Sequence, residues 1–444
     1  MILLLLFVVG VWLWQNHFAR PVAPDDPLQA ATSLDLALRK VDRDLRLADA
    51  SRHLPGWVRG ALDIRPVETV VNDAVGSLPD LARSQHQHGQ VIDAVLVSAQ
   101  AEFAYAVGVL MAVQQGGDPA AAPFAMLGLA KGPDEATITA RIIRGEEYWW
   151  DLPYLRSLGS PGVEQYANLV QTRSSALVGR TVIARGLVVA IALGGLVFLP
   201  GTLLAFARAK ARPARPRYPS SWQLSFGLAV FLLVYLASLG LSLTFNQTLE
   251  GFALQGAAPL PMPVFVAIDS LTRLIPAFLA LGLLFRRCRH AISRLGIGGP
   301  VDGRLVLGGF AILMIADFGL RMAFPAHGNG SLSLHDAGLG GLVFGLASAC
   351  FAAPLAEEIL YRGVLFRSLA NRIPLFPAAL ASSLLFAFVH FYSLPGLLLI
   401  VAVGMVCAYS FAASRALATA ILLHALYNAS VKIPEWIVYH APLS

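Results

Sequence analysis

Charge is scarce in this chain. Only 14% of its 444 residues are Asp, Glu, Lys or Arg, against 56% hydrophobic, and the mean hydropathy is +0.64. An ordinary soluble domain carries about a quarter charged residues, so that class is excluded. Cysteine is scarcer still. Cys288, Cys350 and Cys407 stand without C-x-x-C spacing, which excludes a disulfide framework or a thiolate metal cluster. Residues 15–180 contain no cysteine at all and can fold in an oxidising or a reducing compartment. Absent too are H-E-x-x-H, G-x-S-x-G and G-x-G-D, which removes three familiar hydrolytic designs. No strand alternation, internal repeat or long low-complexity tract stands out.

What is present is a series of long apolar runs. A helix needs about 20 apolar residues to cross the hydrocarbon core. The runs at 186–207, 222–245, 264–285 and 305–324 meet that requirement, and further crossings are expected near 339–360, 376–393, 396–413 and 416–430. Met1 to Trp14 is short, lacks a basic flank and is read as an uncleaved anchor rather than a signal peptide. The expected fold class is therefore all-α: a polytopic transmembrane bundle with an extra helical extramembrane domain. Four regions follow: an anchor over 1–18, a helical domain over 19–180, additional membrane helices over 181–300 and a membrane core over 301–444. From Pro161 a helical pattern runs on towards the membrane, since no breaker precedes Pro200.

The charges divide along the same lines. Residues 15–180 hold 19 acidic and 15 basic side chains, leaving 8 acidic and 18 basic in the rest. The basic surplus lies in membrane loops, so nucleic acid is not an expected partner. Arg208, Lys210, Arg212, Arg215 and Arg217 form one basic loop, and Arg286, Arg287, Arg289 and Arg294 another. Cytoplasmic loops are enriched in Lys and Arg. This pattern predicts an integral, multi-pass protein of the cell (inner) membrane with residues 19–180 outside the cytoplasm. His86 and His88 are two apart, so on a helix they point to different faces, and no partner at ligand spacing accompanies them. Asp269 with Arg273 and Asp317 with Arg321 are pairs at i, i+4 that neutralise themselves; a structural role is the expectation for both.

Three polar signatures interrupt the apolar C-terminal third: Glu357-Glu358-x-x-x-Arg362, Phe386-x-x-x-His390 and His424-x-x-x-Asn428. Each ionisable group at membrane depth costs about 2.5 to 3.5 kcal/mol even on a lenient scale, so chemistry is the expected reason for keeping them. Glu358 and Arg362 are neighbours on a helix and can pair. Glu357 points about 100° away and is free to act as a general base. A hairpin turn near 371–377 would bring Glu357 and His390 to one depth, each about 25 Å along its helix at 1.5 Å per residue. His424 and Asn428 share a face and can direct an imidazole and an amide at a developing oxyanion. Alternatively Glu357, His390 and His424 could hold a zinc with one open position.

These residues resemble the signature of the CPBP intramembrane proteases, which include CAAX-type prenyl-protein endopeptidases and bacteriocin-processing or immunity-type proteins. Every position of E-E-x-x-x-R, F-x-x-x-H and H-x-x-x-N is present, and the resemblance covers roughly residues 300–432. It implies an intramembrane endopeptidase acting on membrane-associated protein or peptide substrates in the lipid bilayer. In that family's scheme Glu357 and His390 activate a water, His424 and Asn428 form the oxyanion hole, and Glu358 and Arg362 support the site. Metalloprotease and metal-independent glutamate mechanisms are both compatible with the family, and the side chains suit the second better. The alternative is a catalytically silent scaffold or immunity protein of the same fold. The first 300 residues lie outside the resemblance and are expected to select substrate or to stabilise a complex.

Overall fold

The computed structural model describes residues 27–86, 94–122, 124, 129, 131–211, 222–254, 262–286, 291–324, 338–390 and 394–442. The anchor at 1–18, the basic positions 212–217 and 287–289, Cys288, His88 and the side chain of His86 lie outside the described residues. The chain divides into two compact units, one built around 21–186 with 331–338 and 434–444, the other from 187–330 and 339–433.

In the first unit, α1 (Pro27–Ala50), α3 (Val67–His86) and α4 (Ala94–Gln114) pack on one another, with α2 (Gly56–Ala61), α5 (Glu135–Arg144) and α6 (Asp151–Ser157) beside them in sequence. Leu34, Leu38 and Leu45 fall on one face of α1 and are buried against Val70, Phe103, Leu110 and Trp150, as apolar residues three or four apart require. α5 begins where the Asp134 carboxylate accepts from Thr137 N at 2.8 Å, an N-cap. It ends at Gly145, whose φ of 76° closes the last turn. The end of the chain belongs to this unit as well. Val438 packs with Leu47, Leu62, Ile64 and Leu177, and Tyr439 OH donates to Asp44 Oδ1 at 2.6 Å.

Six helical runs among the described residues are long and apolar enough to cross a membrane: 163–196, 224–242, 263–284, 303–323, 338–370 and 394–414. They belong to α7 (Val163–Leu196), α9 (Leu224–Leu254), α10 (Met262–Leu284), α12 (Gly303–Ala323), the continuous run α13 (338–370) and α15 (Leu394–Ser414). The protein is a polytopic all-α membrane bundle. α8 (Leu199–Ala211), the short α11 (Ala291–Leu295), α14 (Leu375–Phe388) and α16 (Leu417–Tyr439) complete the described helices.

The expected single span over 186–207 is corrected. α7 ends at Leu196 and α8 starts at Leu199, with Pro200 in its first turn, where a missing N–H costs nothing. The turn expected near 371–377 lies between Ala370 and Leu375, and α14 is shorter than the run that suggested it. Two glycines set close helix approaches around the polar signatures. A Cβ on Gly404 would meet the Ser383 Cβ at 2.7 Å, and one on Gly309 would meet Leu423 Cδ2 at 2.9 Å. Alanine at Gly404 would push α15 off α14, and alanine at Gly309 would force the Leu423 side chain aside.

Candidate active site

The site begins with a distortion of the backbone. Between Ala347 and Ala352, and again between Glu358 and Phe366, α13 widens to i→i+5 hydrogen bonding, a geometry that recurs at functional sites. Pro354 gives a local reason for the first. Ala353 N donates to Ser348 O in the wide register, so the next donor, to Ala349 O, would be residue 354. Proline has no N–H. Ala349 O is filled instead from another helix, for Asn428 Nδ2 donates to it at 2.6 Å. A carbonyl left over by proline thereby fixes the amide on α16.

On the second widened stretch Glu358 and Arg362 are wholly buried, and Arg362 Nη1 donates to Glu358 Oε1 at 2.8 Å. The same oxygen lies 2.9 Å from His424 Nδ1. A carboxylate only accepts, so Nδ1 carries the proton and Nε2 is the open edge of the ring. That edge faces the first glutamate: His424 Nε2 lies 3.7 Å from Glu357 Oε2, and the Glu357 side chain keeps 20% exposure. Glu358 Oε2 and the Nε and Nη2 of Arg362 have no hydrogen-bond partner among the described residues. The charge cluster is therefore incompletely closed.

His390 enters by a different route. Its Nδ1 lies 2.6 Å from Phe386 O one turn back, which again assigns the proton to Nδ1 and makes Nε2 the acceptor nitrogen. The buried Phe386 ring ties the two histidines together, with centroids 4.6 Å from His390 and 5.8 Å from His424, and the Arg362 guanidinium lies 4.5 Å over it. Ser382 Oγ donates to Tyr361 O at 2.9 Å and holds α14 in register with α13.

The structure thus joins Glu357, Glu358, Arg362 and His424 directly, His390 through Phe386, and Asn428 through Ala349. Sequence reasoning treats Glu358 and Arg362 as a self-contained pair and does not find the Glu358–His424 bond. Residues 66 apart carry no spacing signal. The Ala349 acceptor is also missed, although Pro354 inside an apolar run is a readable sign of a disturbed turn.

Among the described residues no three His, Cys, Asp or Glu side chains gather as a metal would require. His424 Nδ1 donates to the Glu358 carboxylate, which is itself paired with Arg362, an arrangement that orients the ring. The site offers a carboxylate, two imidazoles with Nε2 as the acceptor nitrogen and an amide with one N–H to spare, which is equipment for moving a proton and stabilising an oxyanion.

Residues 339–430 match the family model described as Rce1-like, type II CAAX prenyl endopeptidase. No curated protein and no solved structure matches the chain.

Proposed function

We propose, from the premise that residues 339–430 belong to the CPBP group of CAAX-type membrane proteases, that this protein is an endopeptidase cutting membrane-associated proteins or peptides by a glutamate-activated water. The observation that carries the reading is the 3.7 Å approach of Glu357 Oε2 to His424 Nε2, on an imidazole whose other nitrogen is fixed by Glu358. Glu357 takes a proton from water while the water oxygen bonds to the peptide carbonyl carbon. The Nε2 of His390 accepts a hydrogen bond from the water's second O–H and aims the water. The second N–H of Asn428 and, in its imidazolium form, the Nε2–H of His424 donate to the oxyanion. Glu357 then returns its proton to the amide nitrogen as the C–N bond breaks, releasing an amine and a new carboxyl end.

Residues 19–180 stand outside the cytoplasm in this reading, supported by the basic loops, and the first unit presents or selects substrate. No step needs a metal. The test is cleavage of a quenched peptide library by the purified protein, comparing wild type with Glu357→Gln, each with and without a chelator. Glu357→Gln is expected to remove at least about 10³-fold of activity while leaving the melting temperature unchanged, and chelation to change nothing. Equal cleavage by both proteins would favour the silent scaffold, and loss on chelation with bound zinc would overturn the metal-independent mechanism.

A further inference from the structure

Of the two i, i+4 ion pairs that lie outside the polar signatures, Asp269–Arg273 stands where a structural pair has no reason to be. On α10 the exposed apolar residues Val264, Leu271, Ile275 and Phe278 form one stripe, the side that lipid covers. At about 100° per residue, Arg273 lies about 180° from Val264 near the centre of that stripe and Asp269 about 140°. The buried Val266, Ala277, Ala280 and Leu284 share their side, so the pair faces into the bundle. Yet the Arg273 side chain keeps 45% exposure and that of Asp269 28%. An uncovered charge at membrane depth on an inward face meets an aqueous opening or a ligand, not lipid.

That opening adjoins the catalytic turn. α10 packs against 353–357, the turn that bears Glu357, and Arg273 lies within range of the Glu357 charge. Asp269 Oδ2 accepts from Arg273 Nε at 3.0 Å and from Ser348 Oγ at 3.3 Å; Ser348 belongs to the first widened stretch of α13. Held by Nε alone, the guanidinium presents its Nη1 and Nη2 edge without a partner among the described residues. Such an edge fits a planar carboxylate through two parallel hydrogen bonds.

We propose that Arg273, oriented by Asp269 and Ser348, is a substrate-binding residue that receives a carboxylate of the peptide undergoing cleavage, an inference that rests on the endopeptidase reading. α10 lies outside the matched stretch 339–430, so this subsite is supplied by the added membrane helices and gives them a role in specificity. A lipid phosphate has the same hydrogen-bonding appetite, but the inward direction and the neighbouring Glu357 favour the peptide.

The test reads binding on full-length Glu357→Gln protein in nanodiscs, which cannot consume the probe. The probes are a fluorescent apolar decapeptide with one internal Asp and a free C-terminal carboxylate, its C-terminal amide, and its Asp→Asn form. One amide replacement is expected to weaken binding about tenfold, Arg273→Gln to weaken the parent peptide by the same factor, and the two together to cost no more than either alone. Arg273→Lys, which keeps the charge opposite Asp269 but loses the fork, should fall between, and it serves in place of the glutamine variant if that protein does not fold. The proposal is overturned if Arg273→Gln weakens all three peptides equally, if it leaves all unchanged, or if no peptide binds. It is also overturned if the effect of Arg273 follows phosphatidylglycerol content whatever the peptide, which would assign the subsite to lipid phosphate. Carboxylate-selective binding without cleavage by wild-type protein would fail the protease reading alone.

Discussion

Each unit of the molecule buries a cluster of arginine and carboxylate, and the two clusters are built differently. In the first unit Arg46 donates from Nε to Asp42 Oδ1 at 2.8 Å and from Nη2 to Glu147 O at 2.6 Å, and its Nη1 lies 3.3 Å from Glu147 Oε1. Glu147 Oε2 is taken by Arg173 at 2.8 Å, and Asp42 Oδ1 by Trp149 N at 2.6 Å. Each nitrogen of the Arg46 guanidinium has an acceptor and both carboxylates are shared, so Arg46 ties α1 to the 147–149 segment and has no donor left to offer. The neighbouring Arg43, 3.8 Å from Asp42 Oδ2, nevertheless keeps its Nε and Nη1 buried without a hydrogen-bond partner among the described residues. In the membrane unit Glu358 and Arg362 keep three buried polar atoms without a hydrogen-bond partner among the described residues, and their shared oxygen goes to a histidine whose far edge faces Glu357. Burial alone does not distinguish fold from chemistry. What sets the second cluster apart is the histidine bonded to it, whose far edge faces a second carboxylate.

The sharpest way to break this comparison is to remove the arginine from each cluster. Arg362→Ala leaves the buried Glu358 without its arginine and is expected to cost about 3 to 5 kcal/mol. Arg46→Ala leaves Glu147 with Arg173 at 2.8 Å and Asp42 with Arg43 at 3.8 Å and is expected to cost less. Both are read as a lower melting temperature in detergent. The clusters should then part company under apolar replacement. Arg362→Met with Glu358→Leu is expected to recover most of the stability but not the cleavage, because His424 Nδ1 loses its acceptor and the ring its orientation. Full activity in that double variant would reduce Glu358 to a structural residue like Asp42.

A smaller effect is expected at Asn428, which belongs to both kinds of interaction. One N–H of its amide closes the Ala349 carbonyl, and the other is open for the oxyanion. Asn428→Ala should lower kcat by about 10² to 10³-fold, the loss typical of one oxyanion donor, or about 3 to 4 kcal/mol of barrier. KM should hardly move. A fall in melting temperature with kcat intact would place Asn428 with the structural contacts instead.

The helical, multi-pass fold is legible in the sequence because hydrocarbon demands long apolar runs and leaves few alternatives. The site is legible as three motifs, since polar residues at i, i+4 in such runs are conspicuous. How the motifs interlock is not. The widened turns of α13 look like ordinary helix in composition, because i→i+5 bonding leaves no propensity signal. The hairpin count speaks only to depth along two helices; the Glu358–His424 bond is made by a third helix, whose rotation no spacing within α13 or α14 encodes. Asp269 and Arg273 read as a self-neutralising pair from spacing, and they are paired at 3.0 Å. Their exposure on the inward side depends on neighbouring helices.

The gentlest probe of the contrast is pH, applied to a carboxylate of the first unit, Asp151, that burial leaves undercompensated. Asp151 is fully buried, and its oxygens accept from Tyr105 OH at 3.0 Å and Tyr148 N at 3.0 Å, while Arg141 stands off at 3.9 Å. Desolvation outweighs these partners and pushes its pKa up to about 7. A folded-state value raised above that of the unfolded chain means that the folded form binds the extra proton. The stabilisation is therefore complete below about pH 4, falls as pH rises and is gone above about pH 7. Between about pH 5 and about pH 8 the first unit should lose roughly 2.5 kcal/mol. Hydrogen exchange over residues 148–155 in the full-length protein should quicken over that interval, and Asp151→Asn, which cannot ionise, should flatten the dependence. A profile unchanged by Asp151→Asn would show that Arg141 neutralises the carboxylate after all, and would move Asp151 into the class of paired carboxylates represented by Asp42 and Glu147.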